Sequence, residues 1–297
     1  MHDVLTNVSN TTINCLNKGF VKLIDVMPRL VPEDQKTADS AVCQMARVSY
    51  GQGTKTVNED RGLIRYLMRH AHTTPFEGVE FKFHCKMPIF VARQWIRHRT
   101  ANVNEVSGRY SVLKDDFYFP DKENVREQST RNKQGGDDII GTDTAQDFLL
   151  YLDRLCINSY DAYEDYLDDG VSREQARMCL PLNLYTEWYW KIDLHNLFHF
   201  LALRCDSHAQ MEIRVFAEGM LELIAPIVPW SIEAWDDYHP MRGAMKLTRL
   251  EVEALCKGMH ESTNDGLLPQ IESSNKRERQ EWEEKAKLFG FTAVENG

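Results

Sequence analysis

The sequence lacks several features that would assign it to a broad class. Its seven cysteines are dispersed and form no Cys-x-x-Cys pair, which favours reduced thiols in a cytosolic protein over a disulfide framework. No stretch approaches the roughly 20 apolar residues of a membrane span, and the first thirty residues lack the apolar core of a signal peptide. The sequence also contains no Gly-x-Gly-x-x-Gly motif, which would indicate a Rossmann dinucleotide site. We therefore expect a soluble cytoplasmic protein that does not have a doubly wound Rossmann fold.

Positive charge is also scarce. The chain carries 35 Lys and Arg against 45 Asp and Glu, for a formal net charge of −10. A surface of this sign repels polyanions, so we expect neither a nucleic acid polymer nor an anionic membrane as a partner. Any small anion must bind at a local basic site. With 297 residues, 42% of them hydrophobic, the chain is large enough to bury a substantial core.

Hydrophobic periodicity predicts a mixture of helices and strands. The clearest strand is Phe81–Met87, where apolar and polar residues alternate, and the clearest helix is 144–169. In chain order, the predicted elements are a strand at 21–27, a helix at 58–72, a strand at 81–87, a helix at 89–97, a long helix at 144–169 with Phe148, Leu152, Leu155, Cys156, Tyr160, Tyr163 and Leu167 buried, a short helix at 173–180 opened by a capping box at 172–175, a strand or extended segment at 183–192, and one long helix at 194–224.

Composition divides the chain into three parts. Residues 1–20 are rich in Asn and Thr and predict an N-terminal extension with little regular structure. Residues 21–240 form the predicted main domain, within which the polar segment 121–143 predicts an exposed insertion. Residues 241–297 become increasingly charged and predict a C-terminal extension that contains a solvated helix at 275–285.

The densest group of functional side chains lies between Arg97 and Tyr110. This segment holds three Arg, one His and several neutral hydrogen-bonding groups in fourteen residues. For any single Arg, a salt-bridged surface would be the simpler interpretation. Forked donors at this density are what a phosphorylated, hydrogen-bonding ligand requires. The segment therefore predicts a binding site for such a ligand.

The same segment closely resembles the signature of the flavin-dependent thymidylate synthases, the ThyX family. The family pattern is Arg-His-Arg, two variable residues, Ser, one variable, Asn-Glu, one variable, Ser, one variable, Arg-Tyr, and Asn102 stands where the family usually has Ser. The flanking segments 72–77 and 88–95 also resemble family elements, as does 193–210. The resemblance extends from about Val21 to Trp235.

This resemblance implies an α+β fold of the ThyX type, with an antiparallel sheet flanked by long helices. It implies a homotetramer whose active sites lie where subunits meet. It also implies the conversion of dUMP to dTMP, with 5,10-methylenetetrahydrofolate as carbon donor, NADPH as reductant and FAD as the carrier of the hydride. Tetrahydrofolate would be the folate product.

The resemblance also implies a role for individual residues. Positions that match those holding the nucleotide in the family are Gln94, Arg97, Glu105, Ser107, Gly108, Arg109, Arg177 and Arg204. Positions that match those holding FAD are Thr74, Arg97, His98, Arg99, Glu105, Asp193, His195 and His199. Arg204 is the candidate catalytic residue. A guanidinium is a poor base, but it stabilises the anion that forms when uracil loses its N3 proton.

Two other classes of function remain open from the residues alone. His195 and His199 are one helical turn apart, a spacing that can bind zinc, but Asn196 stands where a His-Glu-x-x-His hydrolase needs its general base. We expect no metal. A non-catalytic nucleotide-binding protein would retain the same phosphate site. No cysteine lies in a recognisable nucleophile motif, and Ser107 has no assignable base, so we interpret Ser107 as a substrate-positioning hydroxyl.

Overall fold

The structure is a computed structural model that describes residues 1–6, 11–48, 57–129, 136–239, 245–260, 271, 276–289 and 291. The chain divides into two compact units, Met1–Gly243 and Ala244–Gly297. Among the described residues, the helices are all too short or too polar to cross a lipid bilayer. All seven cysteine thiols are free, and four of them are buried.

The first unit combines strands and helices along its whole length. Its strands are β1 (His2–Asp3), β2 (Thr12–Cys15), β3 (Gly19–Met27), β4 (Leu30–Val31), β5 (Glu80–Pro88), β6 (Asn102–Glu105), β7 (Arg126–Gln128), β8 (Gly136–Ile139) and β9 (Tyr185–Asp193). Its α-helices are α1 (Asp39–Arg47), α2 (Val57–Arg69), α3 (Ile89–Trp95), α4 (Thr142–Asp168), α5 (Arg173–Ala176), α6 (Leu194–Arg204), α7 (Met211–Ile224) and α8 (Pro229–Tyr238). Short 3-10 helices span Thr74–Gly78, Lys122–Asn124 and Arg177–Cys179.

Five of the strands form one antiparallel sheet in the order β2-β3-β5-β9-β6. Strand β9 is central to the site described below because it pairs with β5 on one edge and with β6 on the other. Glu80 of β5 lies opposite Asp193, and Asn102 of β6 lies opposite Lys191. The predicted α+β class and antiparallel sheet are confirmed.

One face of this sheet is buried under helices. The side chains of Phe81, Phe83, Cys85 and Met87 in β5 are fully buried, which confirms the strand predicted from their alternation with polar residues. Helices α3, α6 and α7 cover this face. The ring of Trp95 lies at the centre of the cover, with its centroid 5.3 Å from those of Trp188 and Trp190 and 5.0 Å from that of Phe200. The aromatic cluster thus fixes the end of α3 against β9.

The prediction of one long helix at 194–224 is wrong, because the structure has two helices there. Helix α6 ends at Arg204 and α7 begins at Met211. Between them, the Asp206 carboxylate accepts the backbone N–H of His208 at 2.8 Å. A side chain that bonds the nearby backbone in this way competes with the helical hydrogen-bond pattern. The break places Arg204 in the last turn of α6.

Two further expectations need correction. Residues 1–20 are not without regular structure, because β2 pairs with β3, and the Cys15 side chain is buried in the core. Helix α4 is confirmed, but its buried stripe is narrower than predicted: Cys156 and Tyr163 are buried, whereas Phe148 and Leu155 are 47% and 43% exposed. A helix on a surface needs only part of its circumference against the core.

The segment 121–143 contains the 3-10 helix Lys122–Asn124 and the antiparallel pair β7–β8, and residues 130–135 lie outside the described part. All three residues of β7 are exposed. The predicted exposed insertion is thus a small hairpin in the residues described, joined directly to the start of α4.

The second unit contains α9 (Arg249–His260) and α10 (Lys276–Leu288). The predicted helix at 275–285 is present as α10, but it is not fully solvated. Trp282 is 1% exposed and packs with Ala254 and Ala286, while Lys285 pairs with Glu251 at 2.7 Å. Two buried apolar side chains, Trp282 and Ala286, thus dock a helix whose other residues are mostly charged.

A buried carboxylate connects α1 to α8. The Asp39 side chain is fully buried and accepts the backbone N–H groups of Trp230 and Ser231 at 2.8 and 3.0 Å, as well as the Ser231 hydroxyl at 2.6 Å. It satisfies amides that the first turn of α8 leaves without helical partners. Burial raises the pKa of Asp39 to about 6, although its bonds to Ser231 and Trp230 oppose the shift.

This raised pKa predicts a pH-dependent stability. The folded carboxyl keeps its proton up to about pH 6, whereas an unfolded one loses it near pH ~3.9. The contribution is therefore present at low pH and is lost as the pH rises through the folded pKa. We expect the unfolding free energy of the parent protein to fall by about 2 kcal/mol relative to Asp39→Asn between pH ~4 and ~7.

Urea denaturation of both proteins across this range measures the difference. The matched control is Asp34→Asn, which removes an exposed carboxylate and should follow the parent at every pH. A difference between parent and Asp39→Asn that stays constant with pH would contradict the raised pKa.

Candidate functional site

The segment Arg97–Tyr110 leaves the end of α3, forms β6 at the edge of the sheet and closes in a turn. Burial of Trp95 anchors its beginning. Pairing with β9 aligns its middle, with Asn104 opposite Tyr189, and residues 102–106 are all exposed. The segment therefore presents its polar side chains along an open edge of the sheet.

Three arginines in or near the Arg97–Tyr110 segment make no ion pair in the part of the chain that the structure describes. Within the described residues, no carboxylate lies within ion-pair distance of Arg97, Arg99 or Arg177. By contrast, Arg61 on α2 pairs with Glu233 at 2.8 Å. In a chain with ten more acidic than basic residues, guanidinium groups without a carboxylate partner are available to bind an external anion.

The turn after β6 is compact because of a glycine. The Ser107 hydroxyl accepts the backbone N–H of Arg109 at 3.3 Å. Gly108 is buried, and a Cβ on it would lie 2.9 Å from Leu113 and 3.3 Å from the side chain of Arg177. The absence of a side chain lets Arg177 pack against the turn. The structure therefore brings together Ser107, Gly108, Arg109 and Arg177, four of the residues that the resemblance assigns to the nucleotide.

Glu174 joins the same group, and sequence reasoning missed it. Its carboxylate lies 3.3 Å from Nε of Arg109, and its carbonyl oxygen accepts Nε–H of Arg177 at 3.4 Å. The sequence signal was interpreted as a capping box, but Ser172 bonds the Gln175 side chain at 3.3 Å and makes no side-chain cap. The carboxylate links the 107–110 turn to α5.

A second group forms where the end of α3 meets the end of α6. Nε–H of Arg204 donates to Nε2 of His98 at 3.2 Å. The ring of His98 stacks edge-on against Phe200 at 4.9 Å and lies 6.0 Å from the ring of His199. Burial, the Arg204 cation and His199 together lower the pKa of His98 to about 4. His98 is therefore neutral near pH 7 and able to accept this bond.

Helix α6 begins at a well-formed cap. The Asp193 carboxylate accepts the backbone N–H of Asn196 at 2.9 Å and its side-chain amide at 2.7 Å. This cap fixes His195 in the first turn and exposed His199 one turn later. Thr74 is exposed in a 3-10 helix that packs against α6. Asp193, His195, His199 and Thr74 therefore lie on elements that are in direct contact.

Two predicted residues, Gln94 and Glu105, differ in their hydrogen bonding. The Oε1 atom of Gln94 on α3 is buried and has no hydrogen-bond partner among the residues the structure describes. A buried acceptor without a partner is costly unless a ligand or water satisfies it. Glu105 on β6 instead has a partner, since its carboxylate accepts the Thr186 hydroxyl at 2.6 Å.

The zinc hypothesis finds no further ligand. Across the described ranges, no three His, Cys, Asp or Glu residues are grouped as a metal site would require. His195 and His199 therefore have no third ligand beside them in this part of the chain. His239, which sequence reasoning did not single out, has its ring 5.7 Å from that of Trp235, and burial and nearby His199 lower its pKa.

Some of the predicted residues line two cavities. One of about 290 Å³ is lined by Glu80, Arg99, Thr100, Ala101, Asn102, Lys191, Ile192 and Asp193. Another of about 220 Å³ is lined by Ile96, His98, Arg99, Ala101, Val103, Trp188 and Trp190. Arg99 and Ala101 belong to both. A larger cavity of about 730 Å³ lies between the β7–β8 hairpin and residues 207–214, and it contains none of the predicted site residues.

Comparison with known proteins gives a consistent result. Residues 29–230 match the family model described as thymidylate synthase complementing protein. A flavin-dependent thymidylate synthase of Dictyostelium discoideum is 56% identical over 288 residues, covering 97% of this chain and 90% of that protein. One from Thermus thermophilus is 54% identical, covering 82% of this chain and 84% of that protein.

A solved structure agrees with these relatives. The UMP/dUMP methylase PolB of Streptomyces cacaoi, bound with 5-Br dUMP, superposes with a TM-score of 0.66 at 31% identity, covering 76% of this chain and 98% of PolB. The family model spans more than half of this chain, and the sequence relatives exceed half identity over most of it. The chain therefore belongs to the family of flavin-dependent thymidylate synthases.

Proposed function

We propose that this chain converts dUMP to dTMP with FAD as its cofactor. In the balanced reaction, dUMP, 5,10-methylenetetrahydrofolate, NADPH and a proton give dTMP, tetrahydrofolate and NADP⁺. The observation that carries the proposal is the set of arginines, Arg97, Arg99 and Arg177, that have no carboxylate partner in the described part of an acidic chain. Family membership and the nucleotide-bound PolB structure support the same reaction.

The donor chemistry fits a dinucleotide at the α3–α6 junction. Arg97 and Arg99 offer forked donors suited to a diphosphate, and the polar cavity beside Asp193 is lined by Arg99. Thr74, His98, Glu105, His195 and His199 complete the proposed FAD-binding set. Bound FAD supplies the hydride that reduces the transferred carbon to a methyl group. The chain supplies charge and orientation around it.

The nucleotide would lie against the turn after β6. Arg109 and Arg177 bind its phosphate, while Ser107 and the amide backbone at Gly108 position it. Gln94, whose buried Oε1 has no partner, can accept a hydrogen bond from the nucleotide. Arg97 and Glu105 match family positions in both sets, and we therefore propose that they contact both ligands. No residue of this group needs to act as a covalent nucleophile.

Arg204 is the proposed catalytic residue. Its guanidinium is half-buried, and burial lowers its pKa, but Arg remains cationic at physiological pH. A fixed cation in a partly dry site stabilises the negative charge left on uracil when N3 loses its proton. That charge raises electron density at the ring carbon that accepts the methylene group.

We further propose that the active enzyme is a cytoplasmic homotetramer, with the catalytic domain in residues 21–240 and sites at subunit interfaces. Two observations support assembly. The signature residues 102–106 are exposed in the isolated chain, and one face of α4 displays Phe148, Tyr151 and Leu155, each more than 40% exposed. A contiguous apolar stripe of this kind favours contact with another protein surface.

Turnover assays with one component omitted at a time test the reaction. We expect dTMP to form only when dUMP, methylenetetrahydrofolate, NADPH and FAD are all present, with tetrahydrofolate as the folate product. Formation of dihydrofolate, or turnover without flavin, would contradict the proposal. Binding of dUMP without any turnover would instead identify a nucleotide-binding protein.

Arg204→Ala should separate binding from chemistry. We expect dTMP formation to fall by about 100- to 1,000-fold, the loss typical for removal of one oxyanion-stabilising donor. Flavin content, measured by absorbance of the purified protein, should stay at the parent level. Arg249→Ala, which removes an exposed arginine of the second unit, serves as the control. Near-normal turnover by Arg204→Ala would remove Arg204 from the mechanism.

Arg97→Ala should weaken both ligands, because we place its guanidinium between them. We expect the dissociation constants of FAD and of dUMP each to rise about tenfold or more, as for loss of a charge-assisted hydrogen bond. Titration of the deflavinated protein measures both. Arg97→Lys keeps the charge without the fork and should recover only part of the affinity. Unchanged affinity for either ligand would contradict the shared placement.

A further inference from the structure

The bond between His98 and Arg204 joins two parts of the chain that are 106 residues apart. His98 follows α3, and Arg204 is the last residue of α6. The Nε–H of Arg204 donates to Nε2 of His98 at 3.2 Å. Within the described residues, this is the only hydrogen bond that the Arg204 side chain makes. The orientation of the guanidinium therefore depends on a single acceptor.

His98 is itself held in place. Its backbone N–H donates to the carbonyl oxygen of Trp95, the fully buried ring at the centre of the aromatic cluster, at 3.0 Å. Its imidazole is half-buried and rests edge-on against Phe200, with ring centroids 4.9 Å apart. The acceptor is thus part of the rigid core and not a surface side chain.

The bond requires a particular state of the imidazole. Nε2 accepts only when it carries no proton, so His98 must be neutral with its proton on Nδ1. The charged and titratable groups that act on His98 are Arg204 and His199, and both disfavour a proton on it. Desolvation of the half-buried ring acts in the same direction. Neutral His98 is therefore the form present at physiological pH.

We propose that His98 is a positioning residue for Arg204. It fixes the Nε end of the guanidinium, so that the two Nη groups point in a constant direction toward the reacting uracil. This inference rests on the proposed function. His98 also belongs to the FAD-binding set proposed above, and the two roles are separable, because loss of the acceptor lowers kcat even when the enzyme is saturated with FAD.

Two amide substitutions distinguish the roles. The glutamine of His98→Gln places an acceptor oxygen close to the position of Nε2, whereas the asparagine of His98→Asn places it near Nδ1, out of reach of Arg204. We expect His98→Asn to lower kcat by about 10- to 100-fold, the loss typical for a hydrogen bond to a charged group. His98→Gln, which keeps the acceptor, should recover most of that loss, so that its kcat exceeds that of His98→Asn by about fivefold or more. The two variants should have the same flavin content and the same Tm as each other.

A double-mutant cycle tests the coupling. Arg204→Lys removes the Nε donor, so adding His98→Asn to it should lower kcat by less than about threefold further. The control pair is Arg204→Lys with His84→Ala, which removes a histidine bonded to Glu187, and its effects should multiply independently.

Equal kcat values for the Asn and Gln variants, additive effects in the cycle, or loss of flavin in step with loss of activity would each overturn the positioning role. These results differ from a failure of the proposed function, in which the parent protein itself forms no dTMP. In that case the inference fails together with the function on which it rests.

Discussion

Strand β9 is hydrogen-bonded along both of its edges, and the arrangement of the site depends on this. Pairing with β5 seats it in the core, and pairing with β6 aligns the arginine-rich segment beside it. Its last residue, Asp193, caps α6. Helix α6 then runs for 11 residues, roughly 16 Å, and returns Arg204 to His98. One doubly paired strand therefore sets the register of the signature and the direction of the proposed catalytic arginine.

Charge distribution complements this geometry. An acidic chain repels anions over most of its surface, so a local group of guanidiniums without carboxylate partners is where a phosphorylated molecule is attracted. Neutral groups complete the site without cancelling that attraction. His98 accepts from Arg204 without adding negative charge, and Ser107 bonds the backbone of the 107–110 turn. Glu174, the carboxylate beside the 107–110 turn, makes its ion pair with Arg109, and both side chains are more than half exposed.

Local sequence patterns predicted the elements in which one face is buried and the other is polar. The alternation in Phe81–Met87 predicted the central strand, and the charge density in Arg97–Tyr110, with the family resemblance, is the basis of the proposed site. What could not be predicted depends on contacts between distant segments. The break after Arg204 arises from an Asp206 side chain that competes with the helix, and β2 forms because β3 offers an edge. The resemblance assigned His98 to the flavin. Its bond to Arg204, 106 positions later, could not be predicted because no local sequence pattern shows it.

Strand β6 has an open edge, and this has a consequence for solubility. Its outer backbone groups have no strand partner in the described residues, and Val103 and Val106 beside them are 41% and 45% exposed. An open, partly apolar edge is a template on which other chains add strands and aggregate. The segment proposed to recognise the ligands is thus also an exposed edge of the sheet. Occupancy of the site and resistance to aggregation are linked through the same few residues.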